Sequence, residues 1–518
     1  MKNVYEIKRL DGTKISFIGK GLLIGVVVGF VVSLFRLSIS FFSHTVFEWY
    51  HYLSGHLFLL LPWVIFSLLV AYFIGKLIQS DPNIKGSGIP QVEGQLRGQI
   101  TINWLSVLWK KFIGGVLALS MGLFLGREGP SIQLGAVVGQ GISEKFKATK
   151  AETKILISSG ASAGLSAAFN APIAGLLFTL EEVHHSFSPL VLLTAFSATL
   201  ASNFVSLHFF GLKPVLYIGA IKALPLHYYW TLPLLGILVG LLALMYQKVL
   251  LHMGQWYSKL TILPSYLYGI VPLILVIPIG LFLPQFLGGG HDIILDLNTI
   301  SFSATSLFIL FLFRFIFSMI SYGSGLPGGI FLPILSLGAI IGVFFGVILT
   351  QSTGLDDIYI KNFLILAMAG YFAAISKAPL TAMVLITEMV GSFSHLMAIG
   401  VVVLISYVVI DFFNGKPIYE ALLEKLVHTE DIDIKGKKTI IEFPVLVEST
   451  FDDQQVRDIN WPKDMLLTSI RRGESEILTH GDTLIHAGDT LIILTDEGMT
   501  QYIKDVLAEE SYPSTSNK

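Results

Sequence analysis

"GREGPSIQLGAVVG", residues 126–139, lies without a gap on "GIFLPILSLGAIIG", residues 329–342, and six of the fourteen positions are identical. A second pair follows in the same order: "AAFNAPIAGLLFTLEE" (167–182) matches "AISKAPLTAMVLITEM" (374–389), with Pro172 and Pro379 trailing Pro130 and Pro333 at similar distances. Two matches in one order mean two related halves, at roughly residues 15–205 and 230–413. Such internal symmetry is common in membrane transporters, in parallel or inverted form. The matches do not distinguish the two forms.

The composition supplies the medium. Of 518 residues, 53% are hydrophobic and only 14% charged, with a mean hydropathy of +0.71, far from an ordinary soluble chain. Apolar runs recur from about Ile15 to Phe413, among them 22–35, 57–74, 232–245, 270–287 and 396–410 with their flanks, to be set against the ~20 residues of a spanning helix. The 49 glycines and 20 prolines interrupt many of these runs. Broken backbone in a bilayer is tolerated only inside protein or beside a watery cavity, which favours a transporter or channel over a bundle of straight spans.

Charge sets the expected orientation. Lys2, Lys8, Arg9 and Lys14 precede the first span, and Lys416, Lys425, Lys435, Lys437 and Lys438 follow the last, so both termini are expected on the cytoplasmic face. No short apolar run with a cleavage site suggests a removable leader. A net charge of −2 gives no sign of a nucleic-acid partner, and the absence of cysteine excludes disulfides, iron–sulfur clusters and thiolate metal sites.

The mismatches between the halves locate chemistry. From Ile113 to Ser143 the only charged side chains are Arg127 and Glu128, and they fall opposite Ile330 and Phe331. Glu181 falls opposite Glu388, but Glu182 falls opposite Met389. A carboxylate present in both halves reads as structural, a cap for backbone amides; the unmatched Glu182 is the better functional candidate. An ionised group at mid-membrane costs about 2.5–3.5 kcal/mol on insertion scales and marks ion paths.

Glycines around Glu128, with Pro130 in the first turn, fit a helix beginning there. "GSGIP" (86–90) and "GGIFLP" (328–333) read the same way. Helix N-termini aim unpaired N–H groups and partial positive charge outward, so three such starts suit a dehydrated anion. Glu128, ionised, would itself fill that place; protonated, it would leave it. It is thereby expected to compete with the anion and to carry a proton.

Together, GSGIP, GREGP (126–130), GGIFLP and Tyr419 in "GKPIY" resemble the CLC family of chloride channels and proton-coupled chloride transporters, in order and spacing, over about residues 15–425. The resemblance implies an all-α polytopic domain of two inverted repeats with broken helices, spanning 1–427, and a homodimer with one pathway per subunit. It implies that Ser87 and Tyr419 coordinate chloride through their hydroxyls, and Ile330 and Phe331 through their amides. Glu128 would be the external gate and Glu182 the internal proton-transfer residue. Glu93 would neighbour Glu182, and Lys111 would lie near the path. An acid at position 182 favours a chloride–proton antiporter over the alternative, a passive channel of the same family. No cofactor or metal is implied.

Beyond His428 charge is dense, and β-favouring runs at 439–447, 465–470 and 491–495 alternate with turn signals. Thr450 and Asp453 are spaced to open a short helix, and 497–509 reads as a closing helix. Residues 428–511 are therefore expected to form a small soluble α+β domain, with 512–518 as a tail. The segment "GDTLIHAGDTLIIL" (481–494) is similar to the TrkA-C type of ligand-sensing module, which implies a regulatory role, through either an unidentified small ligand or a dimer contact. The tail type suggests a prokaryotic plasma (inner) membrane.

Two rival readings are weaker. "SGASAG" (159–164) with His395 suggests a serine hydrolase, yet small residues that pack helices explain it better. Glu181, His184 and His185 have helical spacing for metal ligands but lack the H-E-x-x-H order. Arg314, alone in an apolar run, reads either as lining a path or, the better reading, as one member of a buried structural pair.

Overall fold

The computed structural model describes residues 12–183, 188–219, 221–300, 302–427, 438–446, 449–473, 475–496 and 499–511. His184, His185, the segment 428–437 and the tail 512–518 lie outside them. The chain divides into two compact units, within Met1–Lys425 and within Leu426–Lys518.

The first unit is helical throughout. Among the described residues eight helices are long and apolar enough to cross a bilayer. The first half runs α1 (Gly12–Gly55), α2 (Leu60–Ser80), α3 (Ile89–Arg97), α4 (Trp104–Ser120), α5 (Glu128–Lys145), α6 (Lys150–Phe169), α7 (Pro172–Phe178) and α8 (Pro189–Phe210). The second runs α9 (Thr231–Ser258), α10 (Ile270–Phe282), α11 (His291–Thr299), α12 (Ala304–Gly323), α13 (Phe331–Thr353), α14 (Ile360–Ser376), α15 (Pro379–Val390) and α16 (Leu396–Phe412). α17 (Ile418–Val427) closes the unit. At ~1.5 Å per residue, helices of seven to ten residues such as α3, α7 and α17 end well short of crossing a bilayer.

Within each half the tightest packing comes from small residues. A methyl group on Gly135 would run into Gly160 O, and one on Gly164 into Ser131 O, so α5 and α6 touch backbone to backbone. Gly342 meets Phe363 O in the same manner, joining α13 to α14. SGASAG is thus a packing stripe inside α6, as its small residues suggested.

Where the halves meet, they exchange equal bonds. Gly126 N–H donates to Gly329 O and Gly329 N–H to Gly126 O, both at 2.7 Å, as an isolated antiparallel bridge. These glycines are partners in the repeat alignment. Glu181 accepts from Leu380 N (3.1 Å), Thr381 N (2.8 Å) and Thr381 Oγ1 (2.7 Å), while Glu388 accepts from Ile173 N (3.2 Å) and Ala174 N (2.8 Å). Each carboxylate caps the first turn of the opposite half's Pro-initiated helix, α15 or α7, satisfying donors that a helix start leaves unpaired. Reciprocal bonds between equivalent residues define a two-fold relation, and the halves are inverted repeats.

The second unit holds an antiparallel sheet ordered β1–β4–β2–β3, built from β1 (Lys438–Pro444), β2 (Met465–Arg472), β3 (Ser475–Leu478) and β4 (Thr490–Asp496), with the helix α18 (Thr500–Ser511). Ile441, Ile470, Leu491, Ile493, Ile503 and Leu507 form its core. β3 was not foreseen. The helix expected at Thr450 is absent: Asp453 takes a left-handed φ of 59°, its amide bonds to Ile485 O (2.9 Å), and Thr450 N bonds to Ser511 O (3.0 Å). Those long-range partners hold the segment as turns.

Candidate ion-binding site

Three loops that end in helix starts are laced together at the centre of the first unit. Gly86 N donates to Gly325 O (3.2 Å) and Gly328 N to Gly86 O (3.0 Å), which adds the loop before α3 to the Gly126–Gly329 bridge. A Cβ on Gly129 would lie 2.8 Å from Ser87 Cβ, and one on Gly329 3.2 Å from Gly129 N. The N-termini of α3, α5 and α13 therefore converge, and Gly88, the residue before α3, holds a φ of 91° that suits glycine. Lys111, fully buried, donates Nζ to Ile84 O (2.9 Å) and Gly86 O (2.7 Å) and so braces the loop from behind.

Side chains complete the arrangement. Ser87 Oγ accepts from Ile89 N (3.3 Å), which leaves its hydroxyl proton for another acceptor. Phe331, the first residue of α13, stacks near Phe372 (centroids 4.3 Å), Phe169 (5.2 Å) and Phe178 (6.1 Å). Phe178 in turn meets the ring of Tyr419 edge-on at 6.2 Å. Tyr419 is fully buried and its hydroxyl has no partner among the described residues. A buried hydroxyl without a bond is costly, and this one has both Glu128 and Glu182 among its electrostatic neighbours.

Glu128 opens α5 and is buried. Its carboxylate turns back over the bridge: a Cβ on Gly126 would collide with Oε2, and the backbone N–H of Leu332 faces the group. Arg127 Nε stands 4.0 Å away, a loose pairing, and Oε2 accepts no hydrogen bond. Glu128 thus lies against the N-terminus of α13, with Ile330 and Phe331 beside it.

The adjacent acids 181 and 182 have different fates. Both sit in a π-helical turn, Thr179–Val183, but Glu181 is held by α15 whereas Glu182 is buried among Glu93, Glu420 and Arg97. Arg97 Nη2 lies 2.6 Å from Glu93 Oε1 and 2.9 Å from Glu420 Oε1. Glu93 was foreseen beside Glu182. Arg97 and Glu420 were not, although Arg97 follows Glu93 by one helical turn and Glu420 adjoins Tyr419.

Arg314 departs from the expectation of a buried charge pair. Its guanidinium donates to Phe286 O (3.0 Å), Gly288 O (2.9 Å) and Ser336 Oγ (3.3 Å) and covers the ring of Phe124 at 4.1 Å. Backbone carbonyls and a π face take the role expected of an acid.

A polytopic, inverted-repeat fold with helices broken at its centre defines an ion-transport class of membrane protein. Residues 64–411 match the family model described as voltage gated chloride channel, and residues 440–508 match the TrkA-C domain. The chain belongs to the voltage gated chloride channel family and carries a TrkA-C domain behind its membrane part. It is 33% identical over 435 residues to a Vibrio parahaemolyticus protein named H(+)/Cl(-) exchange transporter ClcA, covering 81% of this chain and 92% of the relative. A Salmonella schwarzengrund protein of the same name is 30% identical, over 83% of this chain and 94% of its own length. Among solved structures, a slow cyanobacterial Cl-/H+ antiporter superposes with a TM-score of 0.74 at 29% identity, over 80% of this chain and 99% of that one. A CLC-type fluoride/proton antiporter superposes at 0.65 and 22% identity, a likeness of fold.

Proposed function

We propose that the protein exchanges chloride for protons across the membrane. The observation that carries this reading is the convergence of three helix N-termini on a buried carboxylate, Glu128, while a second buried carboxylate, Glu182, shares with it the electrostatic neighbourhood of the Tyr419 hydroxyl. Amides of Ile330 and Phe331 and hydroxyls of Ser87 and Tyr419 bind chloride. Glu128 is the external gate and proton acceptor, and Glu182 takes protons on the internal side, with Glu93 beside it. The names carried by the relatives support exchange rather than passive conduction. The protein works as a homodimer in the plasma (inner) membrane with both termini cytoplasmic, and the TrkA-C domain answers to a small ligand.

Liposomes holding the purified protein, given only a chloride gradient, test this. Exchange drives protons uphill in the wild type and not in Glu182→Gln, while chloride still moves. Chloride flux without proton movement in the wild type identifies a passive channel instead.

A further inference from the structure

Ser87 and Tyr419 reach the site from two different short helices, and one guanidinium ties those helices together. α3 starts two residues after Ser87 and ends at Arg97; α17 starts one residue before Tyr419 and carries Glu420 in its first turn. Arg97 Nη2 donates a charge-assisted hydrogen bond to Glu420 Oε1 at 2.9 Å and pairs by charge with Glu93 Oε1, 2.6 Å away. The helices touch elsewhere too: a Cβ on Gly94 would lie 2.7 Å from Leu423 Cδ1. Arg97 sits at a helix C-terminus and Glu420 at a helix N-terminus, so each charge also suits the dipole of its own helix.

We propose that Arg97 is a positioning residue that fixes the separation of the Ser87 and Tyr419 hydroxyls by clamping α17 to α3. The proposal rests on the reading of those hydroxyls as chloride ligands. Residues 89–97 form a single helical run to which Ser87 is joined by the bond from Ile89 N to its Oγ, and 418–427 form another that includes Tyr419, so a contact at Arg97–Glu420 is transmitted to both hydroxyls. Glu93 is 1% exposed, and the same guanidinium supplies its counter-charge. Losing Arg97 therefore removes the charged tie between α17 and α3 and takes a positive charge from beside a buried carboxylate, which favours rearrangement of the helix that follows Ser87.

The test is chloride binding to the detergent-solubilised full chain by titration calorimetry, with monodispersity checked for each variant. Arg97→Gln is expected to weaken chloride binding about fivefold or more, the scale of coupling between residues in one ion-pair network. Glu420→Gln, which leaves Arg97 with Glu93, weakens it in the same direction and by less. Arg97→Lys, which keeps a positive charge beside both Glu93 and Glu420, restores binding to within about twofold of wild type. Wild-type affinity in both Arg97→Gln and Glu420→Gln overturns the clamp, and so does an Arg97→Lys variant as weak as Arg97→Gln. A wild type that binds no chloride at all refutes the underlying reading of the site and not the clamp.

Discussion

Adjacent residues of identical chemistry meet opposite surroundings at positions 181 and 182. Glu181 accepts three hydrogen bonds at the start of α15, and Glu182 is buried among other acids. Glu181→Ala is expected to cost about 2–3 kcal/mol of stability, the scale of hydrogen bonds to a charged group, seen as a lower melting temperature in detergent with the proton-to-chloride ratio unchanged. Glu182→Gln is expected to show the converse. At Glu128, Glu128→Ala is expected to abolish proton movement and leave chloride flux running, measured in the same liposomes; retained proton transport removes the residue from the gate. Glu181's role was legible because its partner in the other half is also Glu. Arg314 was not legible in the same way: carbonyl oxygens are its partners, and every residue type carries one.

At the scale of elements, the Gly- and Pro-bearing motifs located the starts of α3, α5 and α13 because Gly and Pro at a helix N-terminus leave a residue-type signal. The lacing between those starts left none, since the bonds joining Gly86, Gly325, Gly328, Gly126 and Gly329 are backbone to backbone. The Arg97–Glu420 pair spans 323 residues of sequence, and charges at such separation read as independent. Packing was more accessible: small residues in α5 and α6 foretold close helices. Gly139→Val places branched carbons against Leu156 O, and overpacking of this kind costs roughly 1–3 kcal/mol. The expected outcome is a sharply lower yield of monodisperse protein, whereas Gly19→Ala, with open space around it, is expected to behave as wild type.

At the scale of the whole molecule, the two units respond to different variables. The TrkA-C domain holds an ion pair between the buried carboxylate of Asp489 and the partly exposed Arg472, bonded at 2.8 and 2.7 Å. Burial pulls the Asp489 carboxyl upward, but the bonds from Arg472 and the His486 amide outweigh it and hold the group below the ordinary Asp value of 3.8. A depressed folded value stabilises the domain above pH 3.8 and ceases to do so as pH falls through it. Limited proteolysis of the full chain is expected to open this domain as pH drops below about 4, with Asp489→Asn less stable than wild type at pH 7 and nearly equal to it in acid.

The bridge between Gly126 and Gly329 has a consequence for direction. A frame with a two-fold at its midpoint looks the same from either face of the membrane, so its backbone carries no arrow. Any arrow belongs to side chains that the axis fails to repeat. Glu128 stands opposite Phe331 and Glu182 opposite Met389. Both acids belong to the first half, and with α17, which the repeat does not duplicate, they are parts of the molecule that the axis leaves single.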